Sequence, residues 1–261
     1  MELGIRGKLA LVTGASQGIG KAVALALARE GAKVLAVARS QDKLRALVSE
    51  VEELGGEAYA LPADLEQSGA AEGVLREAAK VGTVEIFLGN TGGPKPMQAQ
   101  EMGAGEVLEA VHSLLLPMLE LTRGLLPGMQ KARFGRILYI TSLAVKEPIE
   151  NLALSNTVRS GLTGYAKTLA REVAPYGITV NTLGPGYTRT ERVEEVFQFR
   201  AQQQGISLEE AYYQQAKQIP AGRLGTPQEI ADVAVFVLSA RASYLTGQTL
   251  VVDGGATRGL L

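Results

Sequence analysis

The chain has 261 residues, 46% of them hydrophobic and 20% charged, with a formal net charge of −1 at pH 7. That length can bury a large core, and the balanced charge argues against a nucleic-acid or membrane surface. With no cysteine and with His112 as the lone histidine, disulfides, thiolate catalysis, Cys-ligated zinc and multi-histidine metal sites are excluded. No metal is therefore expected.

The first element is the apolar run "KLALVTG" (8–14), which passes straight into the turn "ASQGIG" and a helical pattern over Ile19–Gly31. This opening is too short and too quickly broken by glycine to read as a signal peptide. No later segment reaches the ~18 apolar residues of a bilayer span. A cytoplasmic protein is expected.

Further along, "KVLAVAR" (33–39), "EAYALPADL" (57–65), "VEIFLGN" (84–90), "GRILYITS" (135–142), "ITVNTLGPG" (178–186) and "TLVVDGG" (249–255) read as strands. Helical patterns cover Gln41–Leu54, Gly69–Val81, Gly105–Lys131, Asn151–Tyr176 and Pro227–Ser239. Short apolar strands alternating with helices imply βαβ units with right-handed crossovers. The expected fold is α/β, a Rossmann-type doubly wound parallel sheet of about seven strands with helices on both faces. No linker divides the chain, so residues 1–261 are expected to form a single dinucleotide-binding domain. The stretch 190–222 is longer than an ordinary connection and reads as two helices, a lid or substrate-loop insertion.

The turn after the first strand carries Gly14, Gly18 and Gly20. Glycines there permit a tight turn and close backbone approach to a pyrophosphate, which the next helix's free N–H groups then receive. Where NAD(H) binders carry an acid at the end of the second strand, this chain has Arg39 and Ser40. A guanidinium and a hydroxyl hold a 2′-phosphate that a carboxylate repels, so NADP(H) is favoured over NAD(H).

Several motifs stand in order across nearly the whole chain: "TGASQGIG" (13–20), "AD" (63–64), "GNTGG" (89–93), Ser142 after a strand, "NTLGPGYTRT" (181–190) and "YLTGQTLVVDGG" (244–255). Together they resemble the short-chain dehydrogenase/reductase family, in particular its 3-oxoacyl-acyl-carrier-protein-reductase-like members. The resemblance implies cofactor contacts from Thr13, Gly14, Ser16, Gln17, Gly18, Ile19 and Gly20 along the pyrophosphate and ribose. It implies Asp64 and Leu65 at the adenine, and Asn90, Thr91 and Gly92 on the adenosine side, with Gly89 in place of the motif's first Asn. Pro185, Gly186, Thr188 and Thr190 would flank the nicotinamide. Gln17 stands where the family often has a second basic residue.

The family's catalysis uses an Asn, a Ser, a Tyr thirteen residues after the Ser, and a Lys four further on. Counting from Ser142 lands on Ser155 and Arg159, and counting back puts Leu114 at the Asn position. The expectation is an incomplete tetrad. An aliphatic hydroxyl is a far weaker acid than a phenol, and an arginine does not relay protons. Tyr139, Lys146 and Tyr187 are candidate substitutes, with Glu147 nearby. Tyr165 is ten residues along the helix from Ser155 and faces elsewhere. A hydrolase built on Ser142 and His112 lacks a nucleophile-elbow signature.

Two readings remain. One is an NADP(H)-dependent carbonyl reductase or alcohol dehydrogenase, its substrate 3-oxoacyl-like, with non-standard proton delivery. The other is a catalytically impaired NADP(H)-binding sensor or scaffold. The apolar, small-residue-rich helices 105–131 and 151–176, with Gly161 and Gly164, are expected to build a homotetramer or dimer.

Overall fold

The computed structural model describes residues 2–259. Seven strands run Leu9–Thr13 (β1), Lys33–Ala38 (β2), Glu57–Pro62 (β3), Val84–Gly89 (β4), Gly135–Ile140 (β5), Ile178–Pro185 (β6) and Thr249–Val252 (β7). They pair in the order β3-β2-β1-β4-β5-β6-β7, every pair parallel. The helices are α1 (Gly18–Arg29), α2 (Gln41–Glu53), α3 (Ala70–Val81), α4 (Ala104–Leu114), α5 (Leu116–Ala132), α6 (Ala153–Val173), α7 (Glu191–Gln204), α8 (Leu208–Lys217) and α9 (Pro227–Val237).

Side chains alternate along a strand, so each central strand feeds two cores. Val12, Ala36, Leu138 and Ile140 pack with Val23 and Leu27 of α1 and Ile230 and Val235 of α9. Leu11, Leu35, Ile137 and Tyr139 pack on the other face with Val74 of α3, Leu121 of α5, and Leu162 and Leu169 of α6. This two-faced burial is what a parallel sheet requires. The edge strand β3 differs: none of its residues is fully buried, because it has a neighbour on one side only.

Two helical spans differ from the sequence reading. The span 105–131 is two helices broken at Leu115. Pro117 lacks an N–H and its ring collides with the preceding turn, so a new helix starts there with proline in its first turn. The span 151–176 shortens to 153–173. Asn151 is left-handed at φ +59°, and Pro175 turns residues 174–176 into a 3₁₀ helix. The stretch 190–222 does contain two helices, α7 and α8. No described helix is long and apolar enough to cross a membrane.

Candidate functional site

The strand order reverses between β1 and β4, the position at which doubly wound sheets open a crevice at their carboxyl ends. Thr13 closes the base of this crevice. Its Oγ1 donates to the Asn90 carbonyl and accepts from the Asn90 N–H, both at 2.8 Å. The glycine turn rests on this clamp. Gly14 is left-handed at φ +61°, and a Cβ there would lie 2.6 Å from Asn90 Nδ2. A Cβ at Gly20 would lie 2.1 Å from the Gly14 carbonyl oxygen. Ser16, Gln17, Gly18 and Ile19 are half-buried along the rim. The N-terminus of α1 has no side-chain cap and no acid in its first turn, leaving its N–H groups and positive dipole end open to an anion.

Past β2, Arg39 is exposed and Ser40 caps α2 by accepting from the Lys43 N–H at 3.4 Å. The Lys43 ammonium reaches back to the Gln17 side chain at 2.5 Å. Lys43 thus joins Arg39, Ser40 and Gln17 in one cationic corner. The sequence reading missed it, although a lysine three residues after a capping serine lies in the first turn of α2. Asp64 accepts from the Glu66 N–H at 3.2 Å, and Leu65 packs on the core beneath. Thr91 is half-buried and Gly92 exposed.

The loop after β6 faces the glycine turn. A Cβ at Gly186 would lie 2.6 Å from Asp253 Cα, so the loop passes tightly over the end of β7. Thr188 is buried and donates to the Gly186 carbonyl at 3.0 Å. Thr190 caps α7 through the Val193 N–H, and its methyl would touch a Cβ at Gly18 at 3.3 Å. Pro185 begins this loop at the end of β6. A cleft of about 510 Å³ lies between Gly18 and the α7–α8 hairpin, with Arg189, Glu191, Glu194 and Tyr212 on its walls.

Ser142 caps a short 3₁₀ helix, accepting from the Ala144 N–H at 3.1 Å, which leaves its hydroxyl proton free to donate. Ser155 and Arg159 lie one turn apart in α6 and are both buried. The Arg159 guanidinium donates to the Ile140 carbonyl at 2.9 Å and the Gly92 carbonyl at 2.7 Å, tying together the ends of β5 and β4. Burial pushes it down to about 10, still charged at neutral pH. Leu114 packs with Leu154 and Val158 in an apolar cluster between α4 and α6.

The three candidate substitutes fare differently. Tyr139 is a core residue. It is fully buried, its hydroxyl meets Thr122 Oγ1 at 2.6 Å, and burial pushes its phenol far above the ordinary range. The strand pattern explains this: odd-numbered β5 residues face α5 and α6, not the crevice. Lys146 is exposed in its turn. Glu147 accepts from the Arg258 N–H at 2.9 Å, which brings Arg258 against that turn. The Tyr187 ring stacks on Phe197 of α7, with centroids 6.2 Å apart, and Tyr212 of α8 meets Phe197 edge-on at 4.7 Å. His112 is exposed on α4, and Tyr165 is half-buried, packed against Tyr139 at the edge of the core.

Sheet order and glycine turn define a Rossmann-type α/β protein. A family model described as enoyl-(acyl carrier protein) reductase matches residues 14–257. The chain is 36% identical over 254 residues to 3-oxoacyl-acyl-carrier-protein reductase FabG of Escherichia coli, covering 97% of this chain and 98% of that one. Among solved structures it is similar to L-sorbose reductase from Gluconobacter frateurii complexed with NADPH and L-sorbose, with TM-score 0.95, 29% identity and full coverage of both chains. It is also similar to a 3-oxoacyl-(acyl-carrier-protein) reductase from Agrobacterium tumefaciens with NADP bound, with TM-score 0.89, 27% identity, and 97% and 96% coverage. The chain belongs to the short-chain dehydrogenase/reductase family.

Proposed function

We propose that the protein is an NADP(H)-dependent oxidoreductase that interconverts a carbonyl and an alcohol, with proton delivery of its own kind. The observation that carries this is the glycine cradle, where a Cβ at Gly20 would strike the Gly14 carbonyl at 2.1 Å. Only a turn built for close backbone approach needs that geometry, and it opens on the uncapped N-terminus of α1. The residues suit a dinucleotide. Thr13, Gly14, Ser16, Gln17, Gly18, Ile19 and Gly20 would hold its pyrophosphate and ribose, and Arg39, Ser40 and Lys43 its 2′-phosphate. Asp64, Leu65, Asn90, Thr91 and Gly92 would line the adenosine side, and Pro185, Gly186, Thr188 and Thr190 the nicotinamide. The bound cofactor supplies or accepts the hydride. NADPH and NADP in the similar structures support the phosphorylated form, and the curated relatives support a 3-oxoacyl-like substrate.

Of the family's catalytic four, the register from Ser142 leaves Ser142 alone. Its Oγ accepts from the Ala144 N–H on one lone pair, and its own proton remains to be donated to a substrate oxygen. Serine is too weak an acid to remain ionised, so as its proton passes to the substrate oxygen the Ser142 Oγ takes one from water. Arg159 lends positive charge to the same end of the sheet. The α7–α8 hairpin serves as the lid. The α4–α5 and α6 surfaces form the contacts of a homotetramer or dimer, where Gly161 and Gly164 have nothing within 4 Å of an added Cβ.

A second reading is a cofactor-binding sensor or scaffold without turnover. The sealed hydroxyl of Tyr139 and the apolar setting of Leu114 favour it. Calorimetric titration with NADPH, followed by single-turnover oxidation against simple ketones and 3-oxoacyl thioesters, separates the two. Binding with substrate-dependent oxidation supports the enzyme. Binding without oxidation supports the sensor, and absence of binding sinks both.

A further inference from the structure

Among the described residues, Arg159 is a buried cation without an anion. It is 8% exposed, and its two bonded partners, the Ile140 and Gly92 carbonyls, are neutral. The ion pairs among the described residues join other side chains, and none includes Arg159. A buried charge left unpaired is costly, so proteins that keep one generally supply a counter-charge or receive it from a ligand.

Arg136 shows what a purely structural buried arginine looks like in this fold. It sits at the opposite, amino-terminal end of β5, donates to the Ser239, Gly135 and Gly177 carbonyls, and lies 4.2 Å over the Phe134 ring. Among the described residues Arg159 has no aromatic ring over it, and it has one fewer carbonyl. It stands at the carboxyl ends of the strands, where the crevice is.

Its surroundings favour negative charge. Helical side chains lean toward the N-terminus, so Arg159 lies back over Ser155. The Ser155 hydroxyl has no partner among the described residues. The α6 N-terminus beside it has no side-chain cap and no acid in its first turn, so the positive end of a 21-residue helix dipole adds to the guanidinium.

We propose that Arg159, with the Ser155 hydroxyl one turn before it, is the seat of a substrate carboxylate, so that the ligand is an oxo or hydroxy acid rather than a neutral ketone. The guanidinium has five N–H donors, of which two are committed, and a planar carboxylate matches what remains. One positive charge with one hydroxyl suits a monoanionic group better than a phosphate dianion. The proposal rests on the reading of this crevice as the substrate's place beside the cofactor, and it deepens that reading by naming the substrate class.

The test uses malonamate and malonamide, matched in size and differing by one carboxylate, titrated calorimetrically into protein saturated with NADP⁺. Malonamate is expected to bind about tenfold more tightly. The gap is expected to close in Arg159→Met and to persist, reduced, in Arg159→Lys. Equal affinities in the wild type, or an undiminished gap in Arg159→Met, overturn the proposal. So does a malonamate preference that exists only without NADP⁺, because the seat then belongs to the cofactor. If Arg159→Met does not fold, Ser155→Ala decides: the gap narrows about threefold or the proposal fails. Should NADP⁺ not bind at all, the functional reading falls, and the same two probes on the free protein still decide the carboxylate seat.

Discussion

Thr13 and Asn90 exchange two hydrogen bonds through a single hydroxyl, one given and one received, each 2.8 Å long. This pair bridges the carboxyl ends of β1 and β4, where the sheet order reverses. Thr13→Val keeps the shape and removes both bonds, stranding the N–H and carbonyl of half-buried Asn90. The expected cost is about 1–3 kcal/mol of stability in urea unfolding. NADPH affinity is expected to fall with it, because the glycine turn loses its footing. A variant with wild-type midpoint and wild-type NADPH affinity would refute the clamp.

Gly20→Ala tests the cradle directly. Its Cβ would lie 2.1 Å from the Gly14 carbonyl oxygen and 2.9 Å from Asn90 Nδ2, and the first of these atoms is backbone that cannot swing aside. The turn must open, so NADPH binding is expected to fall by at least about a hundredfold as the phosphate-facing N–H groups lose alignment. Gly73→Ala in α3 is the control, since its added methyl would meet only the far end of the Arg76 side chain, at 3.7 Å. It is expected to leave NADPH affinity unchanged, as read by the same titration.

The strands and the glycine turn were legible because their signals are local: a short apolar run between helical patterns, a glycine at fixed spacing. The break at Leu115 was less so, because the apolar pattern runs through it and only Pro117 marks it. Pairings between distant segments were not legible. Arg159 reaches Gly92 across 67 residues and Lys43 reaches Gln17 across 26. No periodicity encodes these, since they depend on how strand ends meet in the folded sheet. Tyr139 lies between the cases. Its position on a strand was readable, but which sheet face it joined required knowing that α5 and α6 cover that face.

Lys43 carries a prediction on cofactor choice. Its ammonium lies against Gln17, beside Arg39 and Ser40, where an adenosine 2′-phosphate would be met. Lys43→Ala removes one charge-assisted contact to that phosphate and is expected to weaken NADPH about tenfold while leaving NADH affinity unchanged. Equal weakening of both cofactors, measured by nucleotide fluorescence, would show that Lys43 supports the turn rather than the phosphate.

Tyr139→Phe separates a core hydroxyl from a catalytic one. The hydroxyl meets Thr122 Oγ1 at 2.6 Å with the side chain fully sealed. Losing it is expected to cost about 1 kcal/mol of stability, since Thr122 retains its bond to the Met118 carbonyl. Any turnover and its pH profile are expected to be unchanged. A turnover loss of more than about tenfold, without a matching loss of fold, would return Tyr139 to the proton path.

Glu229 sets a pH dependence. Its carboxylate accepts from both guanidinium nitrogens of Arg223, at 2.6 and 2.9 Å, and from the Thr226 N–H at 2.8 Å, closing the box that starts α9. The Arg223 hydrogen bond, then the Thr226 backbone, hold its pKa down at about 2, below the ordinary 4.5. A carboxyl lowered on folding stabilises the protein above its unfolded pKa, and that contribution drains away as pH falls from about 4.5 through 2. Glu229→Gln keeps an acceptor for Thr226 but loses the charge. Its melting temperature is expected to lie below wild type at pH 7 and to converge on it by pH 2. Because the pair is exposed, salt should shrink the pH 7 gap as well. A gap that ignores both pH and salt would mean that packing, rather than charge, holds this corner.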